Sequence, residues 1–317
     1  MILGTDMKIV FLDASTVGDT PLDCIENLGE LVCWPTSTPE EALQRVTDCN
    51  VLIINKVKVT KELLDAAPSL QLVCEAATGV NNIDLDACRE RGIPVRNVAG
   101  YSTDSVVQAT FMHILSLLGN APYFDNAVKS GSYSASPIFT DVSRPFVEIH
   151  GKRMGIIGMG AIGTGVARVA EAFGMEVVYY STSGTGHCTE WPSISLEELM
   201  RTSDVISIHA PYNERTAGLI GLEQLKMMKT SAVIVNMGRG GIIVEKDLAE
   251  VVDEGLIGGA ALDVFEKEPV PADSPLLHTR HPELLRFTPH TAWASVEARK
   301  RLVSAIAGNI RDSIPTL

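Results

Sequence analysis

Met154-Gly155-Ile156-Ile157 runs directly into Gly158-Met159-Gly160-Ala161-Ile162-Gly163, and the reading of this stretch decides the fold. The first four residues form a short apolar run of the kind that builds a buried strand. The next six fit the pattern G-x-G-x-x-G, which is a weak signal alone. Here it opens an apolar helix, expected over Ile162 to Phe173, that stops at Gly174 and gives way to a second strand, Glu176 to Tyr180. Strand, glycine loop, helix and strand in that order make the βαβ unit of a dinucleotide site. Gly158 permits the tight turn, Gly160 lets backbone approach a pyrophosphate, and Gly163 lets the helix pack on the strand. The free N–H groups at the helix start then suit a diphosphate.

Outward from this unit the alternation continues. Further strands are expected at Val205 to Ile208, Ala232 to Val235, Gly259 to Leu262 and Leu285 to Phe287, with a helical tail from Ser295 to Ile310. The first third repeats the scheme with strands at Lys8 to Leu12, Glu30 to Trp34, Val51 to Ile54 and Leu72 to Glu75. Between them, Thr38-Pro39 with Glu41 reads as a capping box with proline at the first helical position. Asp84 to Arg91 reads as a short helix stopped by Gly92. A longer helix is expected from Ser102 or Thr103 to Gly119, with a wide apolar face on which His113 reads as a packed histidine. Ser130 to Pro145 is rich in Ser, Gly and Pro and reads as a loop. Strands alternating with helices imply parallel sheets and the α/β class.

A chain of 317 residues suits two domains. Its 26 basic and 39 acidic residues leave a net charge of −13, which argues against nucleic acid or an anionic membrane surface as partner. The six cysteines show no C-x-x-C pair and no metal-ligand spacing, so no metal is expected. Cys33, Cys49 and Cys74 sit in apolar surroundings and read as buried small hydrophobes, which points to a reducing compartment, the cytoplasm. Ile9 to Leu12, flanked by Asp6 and Asp13, is too short for the core of a signal peptide. No apolar run reaches the ~18 residues of a membrane span. Met1 to Asp6 reads as an extension ahead of a second start at Met7.

Three loops near the end each place one reactive side chain after a strand: Asn236-Met237-Gly238-Arg239-Gly240, Asp263-Val264-Phe265-Glu266-Lys267-Glu268-Pro269, and Thr288-Pro289-His290-Thr291-Ala292-Trp293. In an open parallel sheet, ligands sit beyond the carboxyl ends of the strands. These loops can therefore converge. Arginine clamps a carboxylate with its planar fork. A glutamate fixes the tautomer of a histidine and favours imidazolium, and that histidine can exchange a proton with a hydroxyl. Glu266 competes with Glu268 for the middle role, and Glu268 is favoured because it precedes Pro269.

The cofactor choice turns on an acidic residue expected about 20 positions past the glycine loop, where it would hold the adenosine ribose. Ser181 stands there, followed by Thr182-Ser183-Gly184. The missing carboxylate removes repulsion against a 2′-phosphate, but no Arg or Lys follows before Arg201. The reading leans to NAD, with NADP possible.

Taken together, the glycine loop, Asn236–Gly240, Leu262-Asp263-Val264-Phe265 with Glu268-Pro269, and Pro289–Trp293 make the chain resemble the D-isomer-specific 2-hydroxyacid dehydrogenases over nearly its whole length. The segments Asn97–Val106 and His290–Ser295 look like the glycerate dehydrogenase or hydroxypyruvate reductase branch. Three positions depart from the usual pattern: Ala161 where Arg is common, Gln108 where Glu is frequent, and Ser181 where Asp is usual. The resemblance implies two doubly wound parallel-sheet domains. A Rossmann cofactor domain, residues 106–288, would be inserted in a flavodoxin-like substrate domain, residues 1–105 plus 289–317.

The resemblance also implies the activity, hydride transfer between a nicotinamide cofactor and a small D-2-hydroxy acid or 2-keto acid. Arg239 would anchor the substrate, His290 would be the acid/base and Glu268 its partner. Cofactor contacts would come from Gly158, Gly160, Ala161, Ile162, Gly163, Ser181, the run His209-Ala210-Pro211, Thr216, Asn236, Met237, Gly238 and Val106, with Asp263 on the nicotinamide amide. Thr78, Gly79 and Val80 would grip the substrate carboxylate through backbone N–H groups; otherwise they form a plain turn. Tyr101 would close the pocket, and Trp293 would cover the substrate or sit at a subunit contact. A homodimer is implied. A different class of reading, an NADH-sensing regulatory protein on the same fold, is disfavoured because all three reactive side chains are intact.

Overall fold

A computed structural model describes residues 7–184, 186 and 188–314. The expected extension Met1 to Asp6 lies outside the described residues. The chain divides into two compact units. One runs up to Ser102 and resumes at Ala294; the other is Thr103–Trp293.

The first unit holds β1 (Lys8–Phe11), α1 (Asp23–Glu26), β2 (Glu30–Cys33), α2 (Pro39–Arg45), β3 (Val51–Ile54), α3 (Lys61–Ala66), β4 (Leu72–Glu75), α4 (Leu85–Glu90) and β5 (Val95–Arg96). Its sheet is parallel in the order β2-β1-β3-β4-β5, the flavodoxin-like order. Every residue of β3 and β4 is buried, as expected of strands covered on both faces. The capping box at α2 forms: the Thr38 hydroxyl accepts from Glu41 N–H while the Glu41 carboxylate accepts from Thr38 N–H. Cys33 is exposed rather than buried, because β2 is an edge strand whose two ends stay accessible. Cys49 and Cys74 are buried in the core.

The second unit holds α5 (Thr103–Leu118), α6 (Ala121–Lys129), β6 (Arg153–Ile157), α7 (Ala161–Ala172), β7 (Glu176–Tyr180), α8 (Leu196–Thr202), β8 (Val205–Ile208), α9 (Leu222–Met227), β9 (Val233–Asn236), α10 (Glu245–Asp253), β10 (Gly259–Leu262) and β11 (Leu285–Phe287). Its six strands are parallel in the order β11-β10-β9-β8-β6-β7. The order reverses at β6, which has β7 on one side and β8 on the other. That is the topological switch point where an α/β sheet binds its ligand. The chain then returns to the first unit through α11 (Val296–Ser313), whose Ser295 hydroxyl caps Ala298 N–H.

The division falls at 102/103 and 293/294, where the sequence placed it at 105/106 and 288/289. Packing explains the difference. Helix α5 lies on α7, β9 and β10 from its own unit, and Asp263 ties residues 288–292 to the end of β10. His113 is buried on α5 with Nε2 3.1 Å from Thr288 Oγ1. Burial lowers its pKa, which favours the neutral ring.

Candidate active site

The glycine loop sits at the switch point. Gly158 has φ +95°, a left-handed conformation that suits glycine. A Cβ there would lie 2.8 Å from the Ala210 nitrogen, so the loops after β6 and β8 touch through backbone. A Cβ on Gly163 would overlap the Gly158 carbonyl oxygen, which is why the helix can close on the strand only with glycine. Gly160 differs: a Cβ there would meet nothing within 4 Å. It is the N-cap of α7, with no side chain bonding the first-turn N–H groups. Open space over unmatched N–H groups fits a diphosphate. Ala161 is exposed beside it and Ile162 is half-buried.

His209 adds a second sign of fit. Its Nε2 lies 2.7 Å from Ser207 Oγ, while Nδ1 is buried with no partner. Burial pushes its pKa down to about 3, so the ring is neutral. A buried polar atom left without a partner marks a place where a ligand can complete the hydrogen bonding. The residues at the switch point therefore fit the dinucleotide that the glycine loop implies.

Several expected cofactor residues turn out to be staples of their loops. Thr216 is 0% exposed, and its hydroxyl donates to Pro211 O at 2.7 Å and accepts from Asn213 N–H at 2.9 Å. It holds the Pro211–Thr216 loop. Asn236 is also buried; its amide donates to Arg239 O and its carbonyl accepts from Gly238 N–H. Val106, Met237, Gly238 and Ala210 are buried as well. Asp263 is 2% exposed. Its carboxylate accepts from the Thr288 hydroxyl at 2.6 Å, Thr291 N–H at 2.8 Å and Ala292 N–H at 3.0 and 3.1 Å. Through these bonds it holds the histidine loop.

That loop presents His290. The His290 backbone N–H donates to Asp263 O at 2.8 Å, and its φ of +54° is uncommon for a residue with a side chain. Such strain persists only where surrounding bonds enforce it, and Asp263 supplies them. His290 Nδ1 lies 2.7 Å from Glu268 Oε2. A carboxylate can only accept, so Nδ1 carries the proton and Nε2 is left for other chemistry. The other oxygen of Glu268 accepts from Phe265 N–H at 3.1 Å, which fixes the carboxylate plane. Glu266, the competitor, is committed elsewhere: its carboxylate accepts from Glu245 N–H at 2.9 Å.

Arg239 follows β9, the strand next to β10. Its loop is locked by Asn236 and by Gly240, where a Cβ would overlap the Phe265 carbonyl. The loops bearing Arg239 and Glu268 are therefore in backbone contact. Arg239 is exposed, donates to Gly238 O at 2.8 Å, and pairs with no carboxylate among the described residues. A paired imidazole and carboxylate, with a guanidinium on the adjoining loop that has no carboxylate partner among the described residues, can move a proton and hold an anion.

In the first unit, Thr78, Gly79 and Val80 follow β4. The Thr78 hydroxyl donates to Val98 O at 3.1 Å. The backbone N–H groups of all three have no acceptor among the described residues. Tyr101 is buried, with its carbonyl accepting from Arg301 Nε at 2.9 Å. Trp293, in the second unit, packs on the apolar core beside α5 and α7.

One residue went unnoticed in the sequence. Arg215, in the loop after β8, donates from Nη1 to Ser183 O at 2.8 Å and so stands at the end of β7. Its distance along the chain hid it; only the loop packing brings it to Ser181.

The family described as D-isomer specific 2-hydroxyacid dehydrogenase, NAD binding domain, matches residues 111–292. The chain is 33% identical to a hydroxypyruvate reductase of Blautia hydrogenotrophica, covering 96% of each. It is 34% identical to a glycerate dehydrogenase of Methylorubrum extorquens, covering 96% of this chain and 95% of that one. The crystal structure of D-lactate dehydrogenase from Aquifex aeolicus, complexed with NAD and lactic acid, is similar with a TM-score of 0.82 and 27% identity, covering 96% of this chain and 94% of that one. The chain therefore belongs to the D-isomer specific 2-hydroxyacid dehydrogenase family, as an oxidoreductase that uses NAD or NADP.

Proposed function

We propose that the protein interconverts a small 2-keto acid and its D-2-hydroxy acid, with hydroxypyruvate and D-glycerate as the pair it handles best. The observation that carries this is the 2.7 Å pair of His290 and Glu268, on a loop beside Arg239 at the ligand end of the dinucleotide sheet. When bound, the nicotinamide cofactor supplies or accepts the hydride. Arg239 binds the substrate carboxylate and 2-oxygen, and stabilises the negative charge that develops on that oxygen. His290 Nε2 gives its proton to this oxygen in reduction and takes it back in oxidation. Glu268 accepts from Nδ1 and so orients the ring. The three unmatched N–H groups at Thr78, Gly79 and Val80 support a role in gripping the carboxylate, with Tyr101 and Trp293 shaping the substrate's surroundings. The names of the Blautia and Methylorubrum relatives favour the hydroxypyruvate and glycerate pair.

The test mixes the protein with NADH or NADPH and a panel of hydroxypyruvate, glyoxylate and pyruvate, following absorbance loss. Hydroxypyruvate is expected to give the highest kcat/KM. If nucleotide binds but no keto acid consumes it, the reading fails.

We also propose a homodimer in the cytoplasm. Met112, Leu115, Ile138, Phe139, Val142 and Phe146 are exposed apolar residues of the second unit, and a dimer contact is one way to cover such residues. A single species of 34.1 kDa in sedimentation velocity would remove the dimer. The six cysteines are free, which suits a reducing compartment; recovery in a secreted fraction would contradict it.

A further inference from the structure

We propose that Arg215 and the Ser181–Ser183 turn form a site for the 2′-phosphate of NADPH, and that NADPH is preferred over NADH. The proposal rests on the dinucleotide reading of the glycine loop but on no assumption about the substrate.

Ser181 directly follows β7, the strand that the glycine-loop helix leads into. In a dinucleotide site this strand end meets the adenosine ribose, where an acid selects NAD by bonding its hydroxyls and an arginine admits a 2′-phosphate. Here the end of the strand carries no carboxylate. It carries instead two hydroxyls, Ser181 Oγ and Ser183 Oγ, 3.1 Å apart. The Thr182 backbone N–H beside them has no acceptor among the described residues.

The cation comes from the neighbouring loop. Arg215 Nη1 reaches the Ser183 carbonyl at 2.8 Å, which uses one of its five N–H donors. It makes no ion pair with a carboxylate among the described residues; Glu214, next to it in sequence, does not pair with it. The loop that bears it is rigid. Fully buried Thr216 bonds Pro211 and Asn213, and the Asn213 side chain accepts from Arg215 N–H at 2.9 Å. Gly184, at φ +80°, turns the chain away, and a Cβ there would still clear the guanidinium by 3.9 Å. A planar fork anchored at the Ser183 carbonyl, on a turn that also bears an amide N–H and two hydroxyls, suits a phosphate dianion. The leaning toward NAD in the sequence depended on there being no cation near Ser181, and the fold provides one.

The test measures nucleotide binding without substrate, by titration calorimetry or by quenching of protein fluorescence. NADPH is expected to bind more tightly than NADH by about tenfold or more, as one charge-assisted phosphate contact allows. Arg215→Ala should raise the Kd for NADPH by about tenfold while moving that for NADH less than about twofold. Arg215→Gln keeps a donor for the Ser183 carbonyl but loses the charge, and should behave like Arg215→Ala. Ser181→Asp should reverse the preference. NADH bound as tightly as NADPH would overturn the proposal, as would an Arg215→Gln protein that keeps its preference or weakens both nucleotides alike. Keto-acid turnover is followed separately. Loss of turnover with the NADPH preference intact would strike the proposed reaction and leave this site standing.

Discussion

At the scale of single residues, the site depends on which atoms are already committed. His290 Nδ1 is committed to Glu268, and Nε2 has no partner among the described residues, so the ring can act on a substrate oxygen through one nitrogen only. Removing it takes away general acid/base catalysis, typically worth 10²–10⁴-fold. His290→Ala is therefore expected to lower kcat by about 10²-fold or more while leaving the nucleotide Kd unchanged, since no cofactor contact is assigned to it. Single-turnover rates and nucleotide titration separate the two effects; lost nucleotide affinity with normal turnover would sink the assignment. Arg239→Lys keeps the charge but loses the bidentate fork. It should cut kcat/KM for the keto acid by about tenfold or more, and unchanged kinetics would remove Arg239 from the site. Among the expected cofactor residues, the side chains of Thr216, Asn236 and Asp263 each hydrogen-bond within or between their loops.

At the scale of elements, the parallel strands do the positioning. β6, β8, β9, β10 and β11 all run the same way, so the loops carrying Gly158, His209, Arg239, Glu268 and His290 leave the sheet at one edge. Gly240 is the joint between two of these loops. A Cβ there would overlap the Phe265 carbonyl, and the loop cannot yield without moving Arg239 or the Phe265–Glu268 segment. Gly240→Ala is thus expected to cost about 2 kcal/mol of stability, in the range of overpacked sites, and to lower kcat as well. A thermal melt and a kcat measurement check it; wild-type values in both would show that the loop has slack. This level was largely legible in the sequence. Strands buried on both faces read as continuous apolar runs, as at Val51–Ile54 and Ala232–Val235, and the glycine loop announced the switch point. What escaped was whatever lacked a core-facing stripe. None of the residues of α6 is buried; only Tyr123, Phe124 and Ala127 are half-buried, so its apolar face has no core position to mark it. Arg215 escaped because its place beside Ser183 is a tertiary contact between separate loops.

At the scale of the whole molecule, the balance of charge and burial sets how stability responds to pH. Glu75 ends β4 in the first unit, 0% exposed. Its Oε2 accepts from Asn82 Nδ2 at 3.0 Å and its Oε1 has no partner. Burial pushes its carboxyl up from 4.5 to about 8; the Asn82 bond opposes this, nearby Asp13 adds to it and Lys56 opposes it. The folded protein thus holds a proton that the unfolded chain releases near pH 4.5. Where the native state binds more protons than the unfolded state, stability falls as pH rises. The contribution of Glu75 is therefore whole below about pH 4.5, and it declines until about pH 8, where the folded state too gives up the proton. The net charge of −13 grows over part of the same range and weakens the fold by self-repulsion, but it does so almost equally in any single variant. Glu75→Gln isolates the local effect, because glutamine keeps an oxygen for Asn82 and cannot ionise. Melting temperatures of the two proteins are expected to lie close together near pH 5 and to separate in favour of Glu75→Gln toward pH 8.5, by roughly 2–4 °C for each kcal/mol lost. A constant difference across that range would mean that Glu75 is already ionised in the folded protein, with a partner for Oε1 supplied by solvent.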